Sequence, residues 1–407
     1  MFPSTTQAPM IALGTALSVL LLPAMALDLA LCYDRDYRGG CANKWPMPVN
    51  SCFSNRGGTN WSGFTNDALS SFRISGGCCR FYRDADCQGG PMFTECNINV
   101  PSIHDKYGSP GTDDDKALEK SIIHALKSGY RLLDTAQAYG VEHVVGRAVR
   151  ESGIPREEIT VVTKFWGEWH HDPAEALRIS LESLGLDYVD VLLMHWPWAT
   201  TPKPEKAVLR PHEDPRFEDT WKRMEKLVGP TCKSIGVSNF SQKTLDRLLQ
   251  KASIVPAVNQ VELHAFNPCL KLVPYCQEKG IHVMSWSTLG GSRAGEENQI
   301  HRHETFTKIA DAHGCSAGVV SLSWAVQRGI TVIPKSSSEK RIAENIKLVT
   351  LSDEEIDTIN KAQDTIKKYR IAEGIQRLKG EVDGKLALSG WTMEDFGWED
   401  AEGNWLT

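Results

Sequence analysis

The chain has no basic run and no aromatic-basic repeat, and its formal net charge is -6 over 407 residues. This balance excludes a function built on contacts to nucleic-acid phosphates. No G-x-G-x-x-G occurs, so the fingerprint of a doubly wound dinucleotide fold, the nearest rival architecture, is missing. His301 and His303 lack a metal-ligand partner pattern, and no zinc site is read. Beyond residue 26 no segment is long and apolar enough to span a bilayer. Cysteine is sparse after residue 100, with only Cys232, Cys269, Cys276 and Cys315.

Seven cysteines crowd the first hundred residues: Cys32, Cys41, Cys52, Cys78, Cys79, Cys87 and Cys96. The first part therefore suits an oxidising compartment and the remainder a reducing one. An odd count leaves one thiol over even when three disulfides form, and the connectivity stays open. Residues Met10 to Ala26 are apolar and end in Ala24-Met25-Ala26, the small-residue spacing of a signal-peptidase site. The first nine residues carry no Lys or Arg, which keeps an N-terminal membrane anchor as the alternative. The expected organisation is a signal peptide over 1–26, a cysteine-rich unit over 27–106 and a larger domain over 107–407.

Two N-terminal segments are alike. Cys32-Tyr-Asp-Arg-Asp-Tyr-Arg-Gly39 and Cys79-Arg-Phe-Tyr-Arg-Asp-Ala-Asp-Cys-Gln-Gly89 both run aromatic, acidic and Arg residues into a Gly. They resemble the repeated Greek-key motif of βγ-crystallin-like domains, where Gly permits a tight bend. Between them, Asn66-Asp67-Ala-Leu-Ser70-Ser71 resembles that family's calcium clamp, with Asp67 and Ser70 as candidate ligands. The plainer alternative is an Asx/Ser turn ahead of the strand Phe72-Arg-Ile. Only one clamp is visible, and Asn60-Trp-Ser62 is a glycosylation sequon.

From Thr112 helix and strand alternate. Thr112 and Asp115 cap a helix with Leu118, Ile122, Ile123 and Leu126 on one face. A strand over Gly129–Ala136, a helix over Glu142–Glu151 and a strand over Ile159–Trp166 follow. Asp172-Pro173 with Glu175 opens another helix. Further strands are expected near Val189–His195, Ser234–Ser238, Ala257–Glu262, Ile281–Ser287 and Thr331–Pro334. Such alternation predicts an α/β parallel (β/α)8 TIM barrel. Only seven strands can be counted. The first is missing or replaced, and Asn97–Val100 is its one candidate.

Four apolar runs end in chemistry. They are Gly129-Tyr-Arg-Leu-Leu-Asp134-Thr-Ala-Gln-Ala-Tyr139, Val161-Val-Thr-Lys164, Val191-Leu-Leu-Met-His195 and Gly236-Val-Ser-Asn239. Polar residues at strand ends are how a (β/α)8 barrel builds an active site. The set closely resembles the aldo-keto reductases over residues 108–363. The resemblance implies reduction of aldehydes or ketones with NADPH, with Asp134, Tyr139, Lys164 and His195 as catalytic tetrad. Tyr139 would supply the proton. A phenol alone is a weak acid at neutral pH, and a neighbouring ammonium favours its anion. Lys164 is that ammonium, Asp134 keeps it charged, and His195 orients the substrate oxygen.

By the same resemblance Ser238, Asn239 and Gln260 hold the nicotinamide carboxamide. Trp286 stands where the family commonly has a stacking Tyr. Ser287 and Leu289 face the pyrophosphate, and Lys335, Ser336, Arg341, Glu344 and Asn345 form the adenosine phosphate site. Trp166 and Trp196 line the substrate pocket, and Trp198 and His264 are weaker candidates. The tail Trp391–Trp405 either folds over the substrate or is disordered.

The two resemblances meet near Tyr107. That junction is either a join between unrelated coding segments or a true fusion in which Asn97–Val100 serves as strand one. Two functions follow. One is an NADPH-dependent carbonyl reductase acting on a small substrate, as a monomer or dimer and off the membrane once the signal is cleaved. The other is a secreted crystallin-like calcium-binding module joined to an incomplete, inactive barrel. The signal predicts export. The cofactor, and the sequon Asn239-Phe-Ser241 inside its site, point to a cytoplasmic barrel, the location expected if the N-terminal region is a gene-model fusion.

Overall fold

The computed structural model describes residues 27–32, 41–47, 71–75, 78–81, 93–96, 99–100, 113–202, 205–291, 298–365, 368–375 and 378–406. The chain divides into two compact units, Met1–Ile103 and His104–Thr407.

The first unit is antiparallel. Strands β1 (Leu27–Cys32), β2 (Cys41–Met47), β3 (Ser71–Ser75) and β6 (Asn99–Val100) lie in the order β2-β1-β3-β6, and β4 (Cys78–Phe81) pairs with β5 (Phe93–Cys96). The register sets Cys32 opposite Cys41 and Cys78 opposite Cys96. The signal-like run, the clamp residues Asp67 and Ser70, and the cysteine side chains lie outside the described residues. One expectation is corrected here. Asn99 and Val100 pair antiparallel with Arg73 and Phe72, so this segment belongs to the first unit's sheet and is not strand one of a parallel barrel.

The second unit holds one parallel sheet. Its strands are β7 (Leu132–Asp134), β8 (Thr160–Phe165), β9 (Val189–Met194), β10 (Cys232–Ser238), β11 (Val258–Glu262), β12 (His282–Trp286) and β13 (Thr331–Val332), laid down in chain order. This is a seven-stranded curled sheet, a half-barrel, where eight strands close a TIM barrel. Among the described residues β7 and β13 are its edges. The helices are α1 (Asp113–Lys127), α2 (Glu142–Glu151), α3 (Pro173–Leu184), α4 (Phe217–Met224), α5 (Gln242–Leu249), α6 (Leu272–Glu278), α7 (Glu304–His313), α8 (Ala317–Gln327), α9 (Glu339–Asn345) and α10 (Asp353–Lys361). Near the open edges α1 and α9 meet: His124 Nε2 of α1 lies 3.2 Å from the Glu339 carbonyl of α9, and just beyond α1 the Tyr130 hydroxyl donates to the Ile342 carbonyl at 3.0 Å.

Alternation along each strand decides which side chains do chemistry. Val162, Val191, Leu193, Val258 and Met284 form an inner apolar cluster. Val161, Phe165, Leu192, Met194, Ile235 and Val237 face the helix layer. Lys164 shares the parity of Val162 and so points inward, whereas Thr163 shares the parity of Val161 and points outward. The caps at Asp172 and Ser352 form as expected, the latter as a reciprocal capping box with Glu355.

The tail is folded. Strands β14 (Lys379–Val382), β15 (Lys385–Leu388) and β16 (Trp391–Thr392) make a small antiparallel sheet that leads into α11 (Met393–Phe396). Glu262, at the end of β11, accepts the backbone N–H groups of Ile371 at 2.5 Å and Ala372 at 2.9 Å. The Ser241 hydroxyl donates to the Phe396 carbonyl at 2.6 Å. These bonds fasten the tail to the strand ends that carry the candidate site.

Candidate active site

The four predicted catalytic residues converge. Lys164 Nζ donates to Asp134 Oδ2 at 2.6 Å and to the Thr135 carbonyl at 3.0 Å, and lies 3.4 Å from the Tyr139 hydroxyl. The Lys164 side chain is fully buried. Burial is the largest influence on it and disfavours its charge. The Asp134 carboxylate and the Tyr139 oxygen outweigh that cost and hold the ammonium above its ordinary value. Tyr139 sits on a short 3-10 turn, Gln137–Tyr139, ended by Gly140 in the left-handed region at φ 69°. This turn lifts the phenol above the buried pair, and Tyr139 is 47% exposed. The His195 ring stands edge-on to Tyr139 with centroids 5.7 Å apart. A buried cation, an anchored carboxylate and an accessible phenol make a set that can pass a proton outward.

The predicted nicotinamide residues join the same network. Gln260 Nε2 donates to Asp134 Oδ1 at 2.6 Å, so one carboxylate serves both lysine and amide. Gln260 is buried on β11, and its amide oxygen is of the type that can accept a carboxamide N–H. The Asn239 amide donates to the His195 carbonyl at 2.9 Å and to Ser238 Oγ at 3.1 Å. The Trp286 indole N–H donates to Asn239 Oδ1 at 3.0 Å. Asn239 is buried and takes a left-handed φ of 65°. Its sequon is therefore inaccessible to a glycan once the barrel has folded.

The other predicted cofactor residues are exposed or half-exposed, except Asn345. Ser287 takes φ 57°, and its carbonyl accepts the Gly290 N–H, closing a tight turn after β12. The Leu289 carbonyl accepts from Asn298 at 2.7 Å. Lys335 makes no ion pair among the described residues. Arg341 Nε donates to Ser336 Oγ at 3.3 Å. Glu344 pairs with Lys340, and Asn345 is buried on α9. Two cations with no carboxylate attached fit a phosphate.

The two predicted substrate tryptophans part company. Trp166 is half-buried, edge-on to His195 with centroids 5.0 Å apart, and forms a wall beside the tetrad. Trp196 is only 3% exposed and is covered by Trp198, Phe396 and Trp398. Trp198 packs against both, with its ring centre 5.1 Å from that of Trp166 and 6.3 Å from that of Trp196. His264 is buried against Glu262 and stacks on Tyr369, as part of the tail's fastening.

Sequence reading missed two features. One is Arg370, buried and paired with Glu373 and Glu399, with its guanidinium 3.6 Å from the Trp405 ring centre. The other is Glu142, buried behind Lys164 and bonded to Thr163 at 2.6 Å. Neither carries a motif: an acidic residue in a helix's first turn ordinarily reads as an exposed charge favoured by the helix dipole.

The Aldo/keto reductase family profile matches residues 105–364. Among curated relatives, a Saccharomyces cerevisiae glycerol 2-dehydrogenase (NADP(+)) is 42% identical over 258 residues, covering 59% of this chain and 81% of the relative. A D-galacturonate reductase from Hypocrea jecorina is 40% identical over 267 residues, covering 61% of this chain and 84% of the relative. Among solved structures, a Bombyx mori aldo-keto reductase in complex with NADP aligns with a TM-score of 0.58 at 32% identity. That alignment covers 68% of this chain and 94% of the other.

Proposed function

The chain belongs to the aldo/keto reductase family and is an NADP-dependent oxidoreductase that reduces aldehydes or ketones; we propose that Tyr139 is its general acid and that the cofactor it uses is NADPH. The observation that carries this reading is the buried Lys164 ammonium, bonded to Asp134 at 2.6 Å and lying 3.4 Å from an accessible phenol.

Bound NADPH supplies the hydride that reduces the carbonyl carbon. The chain's task is the proton. As negative charge grows on the substrate oxygen, the Tyr139 O–H bond breaks and its proton passes to that oxygen. The phenolate left behind faces Lys164, whose charge Asp134 maintains. Tyr139's exposure lets water restore the proton. His195 and Trp166 orient the carbonyl, and Trp166 excludes water from one side. Ser238, Asn239 and Gln260 would hold the nicotinamide carboxamide, with Trp286 beside its ring. Ser287 and Leu289 would face the pyrophosphate. Lys335, Ser336 and Arg341 would take the 2'-phosphate, with Glu344 and Asn345 flanking the adenosine.

The rival reading, a crystallin-like module joined to an inactive barrel, fails to account for a tetrad assembled from the ends of three separate strands, β7, β8 and β9. For the first unit we infer a separate cysteine-rich β module, supported by its antiparallel strands and its seven cysteines. Thiol counting on the intact chain should then find three disulfides and one free thiol in that unit; seven free thiols would dismiss the oxidised module.

The enzymatic reading is tested by following NADPH absorbance with the full chain and a panel of small aldehydes, ketones and aldoses. NADPH is consumed with at least one class, and faster than NADH. A cooperatively melting protein that consumes neither would overturn it.

A further inference from the structure

Glu142 is a buried carboxyl that the proposed chemistry does not use. It lies in the first turn of α2, three residues beyond Tyr139, and is 4% exposed. Its Oε1 accepts the Thr163 hydroxyl at 2.6 Å. Thr163 is the residue before Lys164, and its side chain leaves β8 on the helix-facing side while Lys164 points inward. One hydrogen bond thus joins the segment that carries the phenol to the strand that carries the ammonium.

The surroundings hold that bond tightly. Helices α2 and α3 approach so closely at Gly146 that an added Cβ would lie 1.6 Å from the Leu184 carbonyl oxygen. That crossing seals Glu142 between α2, α3 and β8. Thr163 from β8 and Ser180 from α3 face the carboxyl, while Lys164, on the other side of β8, acts on it through its charge alone. His143, next in sequence, turns instead to Asp115 of α1 at 2.9 Å. Burial pushes the Glu142 carboxyl up to about 7, with the two hydroxyls and the Lys164 charge opposing only in part. Around neutral pH the group therefore holds its proton for part of the time. The Lys164–Tyr139 separation of 3.4 Å is at the long end of a hydrogen bond, so a small slip between β8 and the Tyr139 turn would break it.

We propose that Glu142 is a positioning residue for the Tyr139–Lys164 pair, fixing through Thr163 the register between the phenol's turn and the lysine's strand. Glu142 acts from the far side of the strand and touches neither substrate nor cofactor. The inference rests on the reading of Tyr139 as the acid.

The test uses the full chain and the variants Glu142→Ala, Glu142→Gln and Thr163→Val. Breaking the tie, by Glu142→Ala or Thr163→Val, lowers kcat by about ten- to a hundredfold, the scale of a misplacement near 1 Å. KM for the aldehyde and NADPH affinity stay within about twofold, the signature of a contact that matters only in the transition state. Glu142→Gln keeps an oxygen for Thr163 and restores most of kcat, but it flattens the step in kcat near neutral pH. The ring resonance of labelled Tyr139, assigned by its loss in Tyr139→Phe, shifts in Glu142→Ala and Thr163→Val alike. This readout needs no turnover. A wild type that consumes no NADPH overturns the enzymatic reading, while the resonance still decides the tie. If Glu142→Ala and Thr163→Val melt like wild type and leave both kcat and the resonance unchanged, the positioning role is wrong. It is equally wrong if NADPH affinity and kcat collapse together without rescue by Gln.

Discussion

The two ends of the proposed cofactor site are built on opposite terms. At the nicotinamide end Asp134, Lys164, Ser238, Asn239, Gln260 and Trp286 bond to one another or to strand carbonyls, mostly out of water. At the adenosine end Lys335 and Arg341 stand in solvent on a loop and a short helix. Buried polar groups are stabilising only as a complete set, since each partner removed leaves another desolvated and unpaired. Exposed cations can be lost one at a time. Chemistry should therefore be fragile at the first end, and cofactor binding adjustable at the second.

Replacing Lys164 with Met is expected to do the most damage at the first end. It strands the Asp134 carboxylate, so stability should fall by about 3–5 kcal/mol in urea melts while kcat drops at least a hundredfold. Deleting both cations, Lys335→Ala with Arg341→Ala, should raise KM for NADPH by about tenfold and leave kcat and the melting temperature nearly unchanged. The same pair of changes should erase most of the preference over NADH. If kcat fell as well, the two ends would not be separable.

Glu142 gives a pH test. Its carboxyl is raised in the folded state to about 7, so the folded chain binds more protons than the unfolded chain between about 4.3 and 7. Its contribution to stability is therefore best below that window and is lost as pH rises through it. Glu142→Gln should raise the melting temperature by a few degrees at pH 8 and by less at pH 5. The smallest effect is expected at the tail. Trp398→Ala uncovers Trp196 and should change KM several-fold for bulky aldehydes only.

Much of this site was legible in the sequence, because strand ends carry their chemistry locally. Asp134, Lys164, His195 and Asn239 each follow an apolar run whose period fixes the side they face. The half-barrel was legible as a missing strand, but the fate of Asn97–Val100 was not. Two residues can add to either sheet, and their pairing with Phe72 and Arg73 is a long-range choice. Glu142 was hidden for a similar reason: its burial depends on the α2–α3 crossing at Gly146, which no local pattern announces. That Phe396 and Trp398 return to cover Trp196 is likewise a long-range contact that nothing short-range reveals.

The most direct test is a paired measurement on Tyr139→Phe: NADPH affinity by fluorescence quenching, and kcat with the best aldehyde. Affinity within about twofold of wild type, with kcat lowered by about 10²–10⁴, is the predicted result for an acid that acts only on the proton. A variant that still turns over at near the wild-type rate would contradict the assignment of Tyr139 as the acid.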